Sequence, residues 1–280
     1  MKMKTKTHLQ ILLSGVALSA LPLSAATTLW DDSFAGTTLD NSWQVHDTGS
    51  STVTQDSGLE ILQGGAGFDR SFLATNNVQA GTDATTKAQF NGNAAYNFFN
   101  HDLQLTYDAL TIPSDVTAGN AIFYSGVSGN AVTSGAGPRN GQPGAFLRVR
   151  QSASTLQLGV LDYLGSGGRT SYGTKTLTAL PASIVFDLNA TGWSVNITGT
   201  TFTDASTTTS GTWANISATT FATDAALIVG SYDEGGTTWA SGANNTPITL
   251  GGFKAVAIPE PSSTALLGLA GFGFALRRRR

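Results

Sequence analysis

Leu147-Arg148-Val149-Arg150-Gln151-Ser152-Ala153-Ser154-Thr155-Leu156-Gln157-Leu158-Gly159-Val160 alternates apolar and polar residues, pauses at a Ser-Ala-Ser turn, and then alternates again. Successive side chains of a strand point to opposite faces, so Leu147 and Val149 share one face and Arg148 and Arg150 the other. Two such runs joined by a short polar turn predict a β-hairpin. The same period of two sets Leu103, Leu105 and Tyr107 against Gln104, Thr106 and Asp108. It also sets Trp193, Val195 and Ile197 against Ser194, Asn196 and Thr198. The more continuous apolar runs Ala182–Leu188 and Ala225–Gly230 predict strands nearer the middle of a sheet.

Between Thr27 and Ala257 no stretch carries a helical period. About a dozen short strands, divided by Gly, Asn, Asp and Ser, predict two packed antiparallel sheets. The loop Ser134–Gly144 is rich in Gly and Pro, but strands of one kind lie on both sides of it. The reading is a single all-β domain, an antiparallel two-sheet sandwich over residues 27–257.

Composition agrees. Charged residues make up 12% of the 280, about half the usual share, while apolar residues hold 40%. Hydroxyl and amide side chains therefore solvate the surface, and the apolar content suffices for a core. The absence of cysteine excludes a disulfide scaffold, a thiolate metal site, a cysteine nucleophile and a lipid-modified N-terminal cysteine.

The two ends have a different character. Lys2, Lys4 and Lys6 precede an apolar stretch from Leu9 to Leu21, followed by Pro22-Leu23-Ser24-Ala25-Ala26. That succession is a secretory signal peptide over residues 1–26, cleaved by signal peptidase between Ala26 and Thr27. At the other end stand Pro259-Glu260-Pro261, then an apolar glycine-rich run from Thr264 to Leu276, then Arg277, Arg278, Arg279 and Arg280. As a helix this run spans about 20 Å, short of the ~30 Å hydrocarbon core. The four arginines hold the cytoplasmic side while the rest is exported. The segment reads as a short hydrophobic helix inserted transiently in the inner membrane.

Pro259-Glu260-Pro261, the short apolar helix and the arginine cluster, in that order and at the terminus, resemble a PEP-CTERM sorting signal over residues 258–280. The resemblance implies a Gram-negative exosortase as processing partner, cleavage at or near Pro259, Glu260 and Pro261, and delivery to the cell surface or extracellular matrix.

Without the two ends the charge changes sign of emphasis. Seven of the 15 basic residues and one of the 18 acidic residues lie there, leaving 8 against 17 and a core charge of −9 rather than −3. Nucleic acid and anionic lipid are disfavoured as partners of such a core.

Trp30-Asp31-Asp32-Ser33-Phe34, followed by Leu39-Asp40 and Trp43, resembles the first strand of concanavalin A-like jelly rolls, among them laminin-G-like modules and laminarinase-type glucanases. The resemblance implies that a closing strand, Ile248–Ala257, pairs near the first. It also implies where chemistry would sit: the glucanases carry a glutamate-x-aspartate-x-x-glutamate strand. Here the core holds only Glu60 and Glu234, without that spacing, and nothing selects a substitute pair such as Asp162 and Asp187. No Gly-x-Ser-x-Gly elbow accompanies His46 and His101. Gly135–Gly141 lacks the spacing and lysine of a phosphate loop. The protein is therefore expected to have no catalytic residues.

Two binding alternatives stand beside this. Asp31, Asp32, Asp233 and Glu234 are compatible with a structural calcium, although no calcium-loop run orders them and no ligand is assigned. Of the five tryptophans, Trp193 alternates with core positions, whereas Trp239 lies among Gly235, Gly236, Asn244 and Asn245. Trp239, with Asn244 as hydrogen-bonding neighbour, is the candidate contact for a polysaccharide, and a lectin-like module is the alternative function.

Overall fold

Leu147 and Val160 face each other across the hairpin that the alternation predicts, and Ser152 closes its turn by donating to the Thr155 carbonyl. In the computed structural model the described residues are 26–40, 43–47, 51–63, 70–75, 101–114, 116, 120–128, 143–164, 169–189, 191–216, 226–232 and 246–259. They belong to one compact unit, Ala26–Glu260, and form strands without any helix. In chain order these are β1 (Thr27–Asp32), β2 (Trp43–Asp47), β3 (Thr52–Gln55), β4 (Leu59–Leu62), β5 (Arg70–Thr75), β6 (His101–Asp108), β7 (Asn120–Ser128) and β8 (Pro143–Ser152). They continue with β9 (Leu156–Leu164), β10 (Arg169–Thr176), β11 (Ser183–Leu188), β12 (Gly192–Thr198), β13 (Thr208–Thr212), β14 (Ala226–Tyr232), β15 (Ile248–Leu250) and β16 (Gly252–Pro259).

One sheet has the order β1-β16-β6-β11-β12-β13, and the other β10-β9-β8-β7-β14-β5-β2. All their pairings are antiparallel. A small third sheet, β15-β4-β3, forms its own ladder and packs Val53, Leu59, Ile61, Ile248 and Leu250 into the same core. The all-β sandwich expected from the sequence is the architecture found.

Register explains the core between the sheets. Trp30, Ala255, Leu105, Phe186 and Val195 form one inward row across the six-stranded sheet, each buried. Leu227, Val127 and Ala145 form a matching row on the seven-stranded sheet. Tyr107 of β6 meets Phe123 of β7 edge-on, with ring centroids 5.8 Å apart, and so bridges the two layers. Burying each such side chain contributes about 1.5–3 kcal/mol.

The seven-stranded sheet is buried on its outer face as well, where Phe72, Ile122, Tyr124, Phe146, Leu161, Tyr163 and Ile228 form a second cluster. This accounts for the continuous apolar run at β14, which sits between β7 and β5 as expected of a strand near the middle of a sheet. The run at β11 is also interior to its sheet, between β6 and β12, but alternates half-buried and buried residues. Covering of both faces thus distinguishes β14 from β11.

Two departures from the sequence reading concern the last strand. Ile248–Ala257 is not continuous: the Gly251 N–H donates to the Asp108 carbonyl, and the chain on its N-terminal side pairs with β4 instead of β6. The ladder also runs past Ala257, the expected domain end, to Pro259, because β6 begins at His101 and supplies partners for Ile258 and Pro259.

Candidate functional site

The C-terminal motif starts inside the sheet. β16 lies between β1 and β6, with Ala257 facing Thr27 on one side and Leu103 on the other. β1 begins at Thr27, so among the described residues Ile258 and Pro259 have Asp102 and His101 as their pairing partners. Pro259 has no N–H and closes the ladder naturally. Ala26, just outside β1, is exposed. The expected signal-peptide junction and the first residue of the sorting motif therefore stand at one end of one sheet. Glu260, Pro261 and Arg277, Arg278, Arg279 and Arg280 lie outside the described residues, as do the signal peptide and the apolar run.

Other sequence candidates fall into structural roles. Asp31 pairs with Lys254 at 2.9 Å, its facing residue on β16. Asp32 accepts 2.7 Å hydrogen bonds from the Phe34 N–H and from Trp43 Nε1, so it holds the turn after β1 against the core. Trp43 packs 4.5 Å from Trp30 and 6.0 Å from Phe253 by ring centroid. Among the described residues no group of three or more His, Cys, Asp or Glu is placed to hold a metal ion. Asp233, Glu234, Trp239, Asn244 and the loop 134–142 lie outside those residues.

Asp162 and Asp187 are not brought together. Asp187 shares the outward face of β11 with Gln104 and Ser194 across the ladder, accepting from Gln104 Nε2 at 2.8 Å and Ser194 Oγ at 3.2 Å. Asp162, on β9, is fully buried. It accepts from the Thr170 N–H (3.2 Å), Tyr172 Oη (2.5 Å), the Asn215 N–H (3.2 Å) and Asn215 Nδ2 (3.1 Å). Four donors compensate the burial of the carboxylate and tie residues 214–215 to the β9–β10 edge. Burial foremost, then the bond to Asp162, pushes the Tyr172 phenol up to about 12.

Tyr172 belongs to an aromatic group that closes one side of the sandwich. Its ring centroid lies 6.1 Å from Trp193 and 5.8 Å from Trp213. Trp193 is a core residue, as its alternation indicates, and Trp213 Nε1 donates to the Asn189 carbonyl at 2.8 Å. Gly173 sits at φ +46°, and the Trp193 indole comes so close to Gly173 and Gly211 that neither has room for an unhindered side chain.

The feature that the sequence reading missed is the outer face of the seven-stranded sheet. Cross-strand register aligns His46, Phe72, Gly230, Tyr124, Arg148 and Gly159 in a single row. Arg148 is buried here rather than solvated. His46 stacks on Phe72 at 5.2 Å and 21°, and burial lowers its pKa. The side-chain amide of Gln44, His46 Nε2, Arg150 Nε and Tyr163 Oη are buried without hydrogen-bond partners. The continuous runs Ala121–Tyr124 and Ala145–Leu147 were the available signal for strands covered on both faces.

Residues 257–280 match the PEP-CTERM protein-sorting motif. The chain thus carries the signal for export and membrane-associated sorting by an exosortase. No curated protein matches the chain in sequence. By structure it is similar to the CBM2 module of the evolved Dit of Lactobacillus casei BL23 phage J-1, at 9% identity over 82% of this chain and 95% of that one, with a TM-score of 0.45. It is also similar to peanut lectin, at 7% identity over 84% and 98% of the two chains, with a TM-score of 0.47. A third likeness is to SCLam, a non-specific endo-β-1,3(4)-glucanase from family GH16, at 10% identity, 83% and 91% coverage, and a TM-score of 0.43. These likenesses decide nothing about ligand or reaction.

Proposed function

We propose that this is a non-enzymatic protein of the cell surface or extracellular matrix, exported by the general secretory route and processed at both ends. Signal peptidase acts between Ala26 and Thr27, and an exosortase acts at or near Pro259-Glu260-Pro261 while the tail is held transiently in the inner membrane. The observation that carries the reading is the sorting motif at residues 257–280. The lack of an enzymatic role is supported by the structural employment of Asp31, Asp32, Asp162 and Asp187 described above. No cofactor is expected for this role, so addition of calcium or of EDTA should leave the melting temperature unchanged; a shift with calcium would reveal a structural calcium.

Intact-mass measurement on protein from the surface and medium of its native host tests the sorting reading. The expected mass lacks the signal peptide and everything after the Pro-Glu-Pro region, and any attached group adds to it. A mass that still includes Arg277 to Arg280 defeats the reading. Replacing Pro259, Glu260 and Pro261 with alanine is expected to leave the tail in place. Release of reducing ends or unsaturated products from any glycan in a panel would overturn the non-enzymatic assignment.

A second reading is a polysaccharide-binding module, its candidate contact Trp239 with Asn244 as hydrogen-bonding neighbour. Aromatic rings beside hydrogen-bonding groups are the chemistry that grips sugar rings. The core charge of −9, from 8 basic against 17 acidic residues, directs this reading to neutral polysaccharides. Retention on neutral polysaccharide gels tests it. Reduced retention of Trp239→Ala with the fold intact places the contact near that residue, and unchanged retention removes it from the reading. Native protein that runs unretarded rejects the reading.

A further inference from the structure

The sorting motif has no spacer between it and the folded sheet. Ala257 is paired on both sides, with Thr27 and with Leu103. Ile258 and Pro259 are paired on one side, with Asp102 and His101. Ala257 is buried, at 7% exposure, within the core between the sheets. An enzyme that reads an extended segment takes up its backbone N–H and C=O groups, as an added strand would. In the folded domain Ile258 lies in the ladder opposite Asp102 of β6, and the next residue back, Ala257, is enclosed by two strands.

Resting on the exosortase reading above, we propose that tail processing requires the end of β16 to be drawn off β6, so that strand pairing at Ala257–Pro259 sets the processing rate. Three features make the device workable. Strand ends open locally at far lower cost than the whole fold. Pro259 contributes no N–H to the ladder, and β1 stops flanking the strand at Ala257, so Ile258–Pro259 is the part that opens first. Opening one residue further separates Thr27 from Ala257 and begins to expose the core, which limits how far the enzyme can reach into the domain. Ile258 and Pro259 thus come free in short excursions while the remainder of the sandwich stays folded.

The test uses the full chain in its native host, with tail loss followed by mass after a pulse of synthesis. The natural chain contains no cysteine, so Asp102→Cys with Ile258→Cys introduces one unique disulfide across the β6–β16 pair. Tail loss is expected to slow about tenfold or more in the oxidised form and to recover when the disulfide is reduced. A second variant inserts six Gly and Ser residues between Ile258 and Pro259, leaving the motif itself intact. It is expected to lose its tail several-fold faster than the native chain. If the oxidised and reduced forms are processed alike, or if the spacer leaves the rate unchanged, strand release does not control processing and the inference falls while the sorting reading stands. If the native chain keeps its tail beside an active exosortase, both fall.

Discussion

Thr27 and Ala257 face each other across the ladder that joins the first strand to the last. Among the described strands β1 has no other neighbour in its sheet, where the order is β1-β16-β6. The N-terminal strand therefore stays unpaired until residues 252–259 arrive, and the six-stranded layer closes only when nearly the whole chain has been exported. A chain of residues 27–259 is expected to unfold cooperatively on heating. A chain of residues 27–251 loses β16, strips β1 of its partner and exposes Leu105 and Tyr107 of β6. Circular dichroism melts distinguish the two, and a cooperative melt of the shorter chain at the same temperature would refute the dependence.

Asp162 is the polar counterpart of that closure, since it holds strands β9 and β10 to residues 214–215. Asp162→Ala strips partners from four donors in a buried site and is expected to cost about 3 kcal/mol or more, measured by denaturant unfolding. Asp162→Asn keeps the volume but turns one oxygen into an NH2 that meets one Asn215 donor and either the Thr170 N–H or the Tyr172 hydroxyl, so it fails to rescue. The same substitution to alanine removes the bond and the charge that help raise the Tyr172 pKa and so lowers it from about 12. As the folded pKa is raised, stability attributable to Tyr172 is intact below pH 10 and declines as pH rises toward 12. A spectrophotometric tyrosine titration reads this directly.

Gly211 supplies room for the Trp193 indole. A Cβ on Gly211 would lie 2.9 Å from Trp193 Cζ2, and the side chain cannot retreat because Gly173 approaches its Cη2 from the other sheet. Gly211→Ala is expected to destabilise by about 1–3 kcal/mol. An unchanged denaturation midpoint would show that the aromatic group yields more readily than its packing implies.

How much of this was legible follows from the range of each interaction. The hairpin of β8 and β9 is a local matter, and its alternation and turn are contiguous in the chain. Alternation also separates Leu147 from Arg148, but it does not state what covers the second face, so the burial of Arg148 emerges only from the sheet order. Asp162 reads as an ordinary carboxylate in a strand because Tyr172 and Asn215 reach it from 10 and 53 residues away. The sorting motif is linear and legible outright. Its attachment to the sheet is not, since the pairing of Pro259 with His101 is a register between distant segments.

His46 makes acidification costly in one interval. Burial lowers its pKa below the ordinary 6.5, and its Nε2 has no hydrogen-bond partner. The unfolded chain therefore takes up a proton near pH 6.5 that the native protein refuses, and stability falls as pH drops below that value until the folded pKa is passed. Neighbouring Asp47 works in the opposite sense at lower pH. Its pKa is raised by burial above 3.8, so the native form binds its proton first and recovers stability through that interval. His46→Gln should flatten the decline below pH 6.5 while leaving the Asp47 contribution in place. Melting temperatures recorded between pH 7 and pH 4 on both proteins test this; parallel curves would mean that His46 is protonated in the folded state without penalty.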